Sequence, residues 1–158
     1  MIALVALLLC LGAGTVGGGF YAFSSVVVRS LGECRPPLGI EVMQRINVRA
    51  LDPAFLWLFL GTALLAMVGI GLGLLFPNLA GARMLVLAGL FYTFGAFAVT
   101  LLGNVPRNER LAEEPDPLET ERYWPVYLRE WSRWNHLRTA ASLLTAASAA
   151  VALALGLR

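Results

Sequence analysis

The chain contains no lysine and a single histidine, His136, and only 14% of its 158 residues are charged. A soluble domain of ordinary composition carries about 25% charged residues. What charge there is balances to a net +2, too little and too dispersed for a nucleic-acid-binding surface. Two cysteines, Cys10 and Cys34, are too few and too far apart for a zinc cluster. One histidine with no Cys/His cluster argues against a closed metal site built from this chain alone.

Long apolar stretches fill the space left by the missing charge. Residues 1–28, 53–82, 84–106 and 139–157 contain no charged side chain, and the apolar fraction is 58%. Each run reaches the ~20 residues needed to cross a ~30 Å hydrocarbon core. The first run has no basic segment before it and no small-x-small cleavage site after it, so it is expected to be retained as a span and not removed as a signal peptide. The expected fold class is all-α: an integral membrane four-helix bundle in one domain covering residues 1–158, with spans at about 3–27, 54–76, 82–103 and 138–157.

Two polar segments, 29–52 and 104–137, join these spans and must lie at the same end. In the first, Ile40, Met43, Ile46, Asn47 and Leu51 recur near helical spacing opposite Glu41, Arg45 and Arg49, which predicts a short amphipathic helix. Asp52-Pro53 reads as a helix start, and "FPNLAG" as a tight turn between spans two and three. In the second segment Pro115 and Pro117 predict a hinge, followed by a helical extension from near Glu119–Arg122 into span four. Ten of the twelve arginines sit in these two segments or at the mouth of span four, with Arg83 and Arg158 at the opposite end. By the positive-inside rule the polar segments are expected to face the cytoplasm, in a bacterial inner membrane. Gly14 and Gly18 form a GxxxG pair in span one, a spacing that suits close helix packing or a homo-oligomer.

The most unusual stretch is "REWSRWNHLRTAA", residues 129–141, which runs straight into span four. At about 100° per residue, Trp131, Trp134, Asn135 and Arg138 share one stripe that Ser142, Thr145 and Ala149 continue into the membrane. His136 lies at the edge of this arc, and Leu144 lies on another side, suited to lipid. Trp and Arg are common at membrane interfaces, so an anchoring belt accounts for these residues; equally, polar groups at membrane depth mark sites, and histidine titrates near neutrality.

The motifs "GFYAFS", "MQRIN", "GNVPRN" and "WSRWNHLRT" occur in that order. Together they resemble the anthrone oxygenase family of small four-helix membrane proteins, over nearly the whole chain. The resemblance implies a four-span bundle and, from the few studied members, oxidation of an anthrone to an anthraquinone with O2 and no established cofactor. The positions that match the family motifs are Tyr21, Ser24, Asn47, Asn104, Asn108, Trp131, Trp134, Asn135, His136 and Arg138. One departure is "SSVVVRSLG", where the family often has a proline, which leaves the exit of span one open.

Removing a proton from an anthrone gives an electron-rich enolate, so the chemistry needs a base, oxyanion donors and a dry, flat apolar pocket. His136 is the candidate base, and Asn104, Asn135 and Arg138 are candidate oxyanion donors. Tyr21, Ser24, Asn47, Asn108, Tyr92, Trp131 and Trp134 are candidate substrate contacts, with Phe23, Phe91, Phe94 and Phe97 as further aromatic walls. The expected partners are a small apolar aromatic substrate and membrane lipid, with O2 as co-substrate and no resident cofactor. Two other functions fit the same residues: a haem or metal protein with His136 as a ligand, or a non-enzymatic bundle that binds a lipid or a partner.

Overall fold

The computed structural model describes residues 2–157; Arg158 lies outside the described residues. Five helices account for nearly all of it: α1 (Ile2–Glu33), α2 (Pro36–Arg49), α3 (Pro53–Leu75), α4 (Ala82–Glu113) and α5 (Pro117–Gly156). Four of them, α1, α3, α4 and α5, are long and apolar enough to cross a membrane. The molecule is an all-α bundle of membrane helices, with α2 as the short amphipathic helix between the first two spans. Neighbours around the bundle are α1, α3, α4 and α5, closing back onto α1, and the short α3–α4 and α4–α5 connections make those successive spans antiparallel.

Proline and glycine punctuate the chain where the sequence places them. Pro36, Pro53 and Pro117 each open a helix, where the missing N–H costs nothing. Asp52 precedes α3 as expected, but its carboxylate takes Arg49 Nη1 at 3.2 Å and does not cap the helix. Asp116 does cap α5, accepting from the Leu118 N–H at 2.9 Å, so α5 begins at Pro117, a little earlier than the 119–122 region suggests. Gly81 ends the α3–α4 turn with φ at +84°, a conformation that glycine adopts without strain.

Helices α1, α4 and α5 all outlast the membrane. The 40 residues of α5 correspond to roughly 60 Å at 1.5 Å per residue, about twice the hydrocarbon thickness. The exit of span one, open in the sequence, is a continuous helix through Glu33. The surplus lengths and α2 meet at one end, where Val28, Leu31, Ile40, Met43, Leu111, Tyr123, Trp124, Tyr127 and Trp131 form a second core. Both polar segments therefore pack together over the same mouth of the bundle, and Gln44 Nε2 fastens α2 to α4 by donating to the Leu111 carbonyl at 2.8 Å.

Inside the spans the core is built mostly from small side chains: Ala6, Ala13, Ala63, Ala66, Ala82, Ala88, Ala96, Ala149 and Ala152 are all buried. Without a hydrophobic drive between helices in lipid, close approach of backbones supplies the packing energy. A Cβ placed on Gly89 would stand 2.5 Å from the Ala66 carbonyl oxygen, whereas one on Gly14 or Gly18 meets nothing within 4 Å. The GxxxG pair thus does not pack inside this bundle; Gly12, against Thr62, and Gly17, against Ser142, make the close contacts of α1 instead. Gly89→Ala is expected to destabilise the bundle by about 1–3 kcal/mol through overpacking. Gly14→Ala is expected to be neutral or to stabilise by up to about 1 kcal/mol through helix propensity. Denaturant unfolding of the two variants in the same lipid-mimetic checks both.

Candidate functional site

The stripe on α5 is the organising element of the site. Trp131, Asn135, Arg138, Ser142, Thr145 and Ala149 are all buried, while Leu144 is exposed as a lipid-facing residue should be. Local widening of two partner helices aligns them with it. Helix α1 takes π geometry over Phe23–Val27, and α4 does so over Phe91–Ala98 and Thr100–Asn104. Such bulges shift side-chain register and occur often at functional sites. The last of them ends just before Pro106, whose ring cannot fit a regular turn.

Asn135, fully buried, ties these elements together. Its Nδ2 donates to the Phe20 carbonyl at 2.7 Å and to Ser24 Oγ at 2.6 Å, both on α1. Its Oδ1 accepts from Arg138 Nη2. Arg138 Nη1 reaches Thr100 Oγ1 on α4 at 3.3 Å. The guanidinium lies 4.1 Å from the centroid of Phe20 and 5.4 Å from that of Trp131, geometry in which ring faces attract a cation.

A second set of contacts fixes Trp131. Its Nε1 donates to Asn108 Oδ1 at 2.9 Å, and that oxygen also accepts from Tyr127 Oη at 2.9 Å. Tyr127 lies in the part of α5 that precedes the apolar run, and burial raises its phenol pKa well above the usual value, so it stays neutral and donates. Asn104, behind the indole, donates to the Trp131 carbonyl at 3.2 Å.

Between these groups and α2 lies a cavity of about 550 Å³, within the range of small-molecule sites. Phe20, Phe23, Phe55 and Trp131 supply aromatic walls, Val42 and Ile46 of α2 an aliphatic one, and Asn47, Asn108 and Arg138 the polar groups. Arg45 and Arg49 stand at its edge, each paired with a carboxylate, Glu41 and Asp52. A smaller polar cleft of about 240 Å³ lies between α2 and the α4–α5 turn, near Glu41, Gln44 and Glu121, and has no aromatic wall.

The structure brings together some of the expected site residues and separates others. Asn47, Asn108, Trp131 and Arg138 line the cavity, and Ser24 and Asn135 support it from behind. His136 is exposed and does not line the cavity. Its position on α5 is about 160° from Arg138 at 100° per residue, so the two point to different sides of the helix. Tyr21 is 62% exposed. Tyr92 is buried in the bundle core, where it donates to the Phe59 carbonyl at 3.1 Å. Trp134 packs on Gly103 and under Arg107 and makes no part of the lining. Of the aromatic walls expected from span three, Phe94 is exposed and Phe97 stacks on Phe59; the real walls come from α1, α3 and α5. Phe55 had no sequence signal distinguishing it from lipid-facing residues, whereas Ile46 belongs to the apolar side of the amphipathic helix that the sequence predicts. Among the described residues no group of three or more His, Cys, Asp or Glu side chains gathers at metal-binding distance.

Fold and site together define a class: a helical membrane protein with an aromatic cavity at the mouth of its bundle and a buried arginine in that cavity. The chain belongs to the anthrone oxygenase family, whose model matches residues 43–148. The match contains Asn47, Asn108, Trp131, Asn135 and Arg138, whereas Phe20 and Ser24 of α1 lie before it. No curated protein and no solved structure matches the chain.

Asn135→Ala would leave Ser24 Oγ and one Arg138 nitrogen without their partner, with an expected cost of about 1–3 kcal/mol. Because Ser24 acts through the same amide, Ser24→Ala should add little in the Asn135→Ala background. A double-mutant cycle on unfolding free energies measures that coupling.

Proposed function

We propose that the protein is a membrane-embedded oxygenase that uses O2 to oxidise a flat, apolar phenolic or polycyclic substrate held in the cavity under α2. The observation that carries this proposal is a cavity with aromatic faces and one buried guanidinium. Membership of the anthrone oxygenase family supports it.

The chemistry follows from the substrate class. A methylene beside a carbonyl, flanked by aromatic rings, loses a proton to solvent to give an enolate whose electrons O2 can accept, and a proton is taken back when water is formed. One oxygen atom becomes the new carbonyl and the other leaves as water, so CH2 plus O2 gives C=O plus H2O. The substrate supplies all four electrons. The protein's part is to hold the flat ring system against Phe20, Phe23, Phe55 and Trp131 and to stabilise charge on the carbonyl oxygen with donors from Arg138 and Asn47. His136, outside the cavity, has no direct part in this scheme. The arginine asymmetry supports placing the cavity end on the cytoplasmic side of a bacterial inner membrane.

Purified protein in lipid nanodiscs is expected to convert an anthrone to its anthraquinone with one O2 consumed per product. Arg138→Gln should lower the rate by about 100-fold or more, as loss of an oxyanion donor does. His136→Ala should stay within about twofold of wild type, since an exposed side chain outside the site contributes no donor to the oxyanion. A collapse of activity in His136→Ala would return it to the role of base. Absence of any anthrone turnover by the wild-type protein would overturn the proposal.

A further inference from the structure

Arg138 is only 6% exposed, yet among the described residues no carboxylate pairs with it. The other cavity arginines differ: Arg45 and Arg49 are exposed and have Glu41 and Asp52. A guanidinium offers five N–H donors. Here two of its nitrogens meet neutral oxygens, on Thr100 and Asn135, and Nε is buried without any partner. Asn47 Nδ2, on the opposing helix α2 and also in the lining, is likewise buried, with the Tyr127 hydroxyl beside it but no well-formed hydrogen bond. Buried charges in proteins are normally paired, because an uncompensated one carries a large desolvation cost. The faces of Phe20 and Trp131 offset part of that cost but supply no acceptor for Nε.

We infer that the cavity takes its ligand as an anion, an aromatic phenolate or enolate whose negative oxygen is the counter-ion that Arg138 lacks. This rests on the proposal that the cavity is the substrate site, and it adds the charge state in which the ligand is held. An aromatic anion fits better than a fatty acid because the walls are aromatic faces, Phe20, Phe23, Phe55 and Trp131, suited to flat rings. A delocalised charge also suits a guanidinium that is already stacked on rings. Such a pocket would hold the ligand's ionised form in preference to its neutral form, so no protein base need sit beside it. Of the other ionisable groups near the anion's place, Arg45 and Arg49 at the edge are each offset by a paired carboxylate, Glu41 and Asp52, and Tyr127 is neutral.

The probe pair is 2-hydroxyanthraquinone and its 2-methoxy ether, which share a flat skeleton and differ in the ability to ionise. Binding to full-length protein in nanodiscs is measured against empty nanodiscs of the same lipid, and the visible phenolate band reports the bound hydroxyl compound's charge. Wild type is expected to bind the hydroxyl compound about tenfold or more tightly than the ether, as a charge-assisted hydrogen bond provides. The bound form should show the phenolate band at a pH where the compound in empty nanodiscs is mainly protonated. Arg138→Gln should lose both the preference and the band, the preference being read as the ratio of hydroxyl to ether affinity within the variant, so that a general change in the cavity cancels. If Arg138→Gln does not fold, Arg138→Lys, which keeps the charge, should retain the band. Equal binding of both compounds by wild type, or a protonated bound form, overturns the anion inference and leaves the cavity's role as substrate site standing. Retention of the preference in Arg138→Gln overturns the assignment of the charge to Arg138. Failure of both compounds to bind overturns the substrate-site proposal and the inference with it.

Discussion

A guanidinium carried into the mouth of a membrane bundle is the constraint around which the rest is arranged. Arg138 has to be held by neutral partners, and those partners come from three helices. Asn135 is one turn back on α5, Thr100 is on α4, and Phe20 is on α1. Asn135 can serve Arg138 with its oxygen only because its nitrogen is already committed to Ser24 and the Phe20 carbonyl. The amide orientation, the approach of α1 to α5 and the position of the guanidinium are therefore one interlocked choice. The widened turns in α1 and α4 are the backbone adjustments that accompany it.

How much of this was legible in the sequence depended on whether an element carried its own signal. Four charge-free runs specify four spans because a charge at membrane depth is costly, and the runs recur as α1, α3, α4 and α5. The stripe from Trp131 to Ala149 was legible because helical geometry is regular over that distance, and its members, apart from the half-buried Trp134, are buried as a group. His136 was less certain for the same reason: it sits at the edge of the arc, where one step of about 100° decides between cavity and exposure. Aromatic walls were the least legible part. In a span where every residue is apolar, nothing in the sequence separates Phe55, which lines the cavity, from Phe94, which faces outward. Soluble proteins reveal a buried face by contrast with a polar one, and the lipid removes that contrast.

The family motifs, by contrast, converge around the cavity by a different route. "MQRIN" contributes Asn47, "GNVPRN" contributes Asn104 and Asn108, and "WSRWNHLRT" contributes Trp131, Asn135 and Arg138. Short polar motifs at the ends of apolar runs are where a bundle of this kind can afford hydrogen-bonding side chains, so they converge once the spans pack. Their convergence is a consequence of topology: both polar segments emerge at the same end, and α2 folds over the gap between them.

The length of α5 has a bearing on how any ligand is supplied. A helix about twice as long as the hydrocarbon is thick places Arg138 near its midpoint, where the apolar run gives way to the polar extension. A flat apolar molecule that dissolves in the bilayer would sit at that same depth, rings among the acyl chains and polar oxygen toward the headgroups. Were such a molecule the ligand, the quantity that fills the cavity would be its mole fraction in lipid, not its concentration in water. Saturation curves for this protein would shift along the aqueous axis whenever the amount of membrane changes, and would coincide only when plotted per lipid.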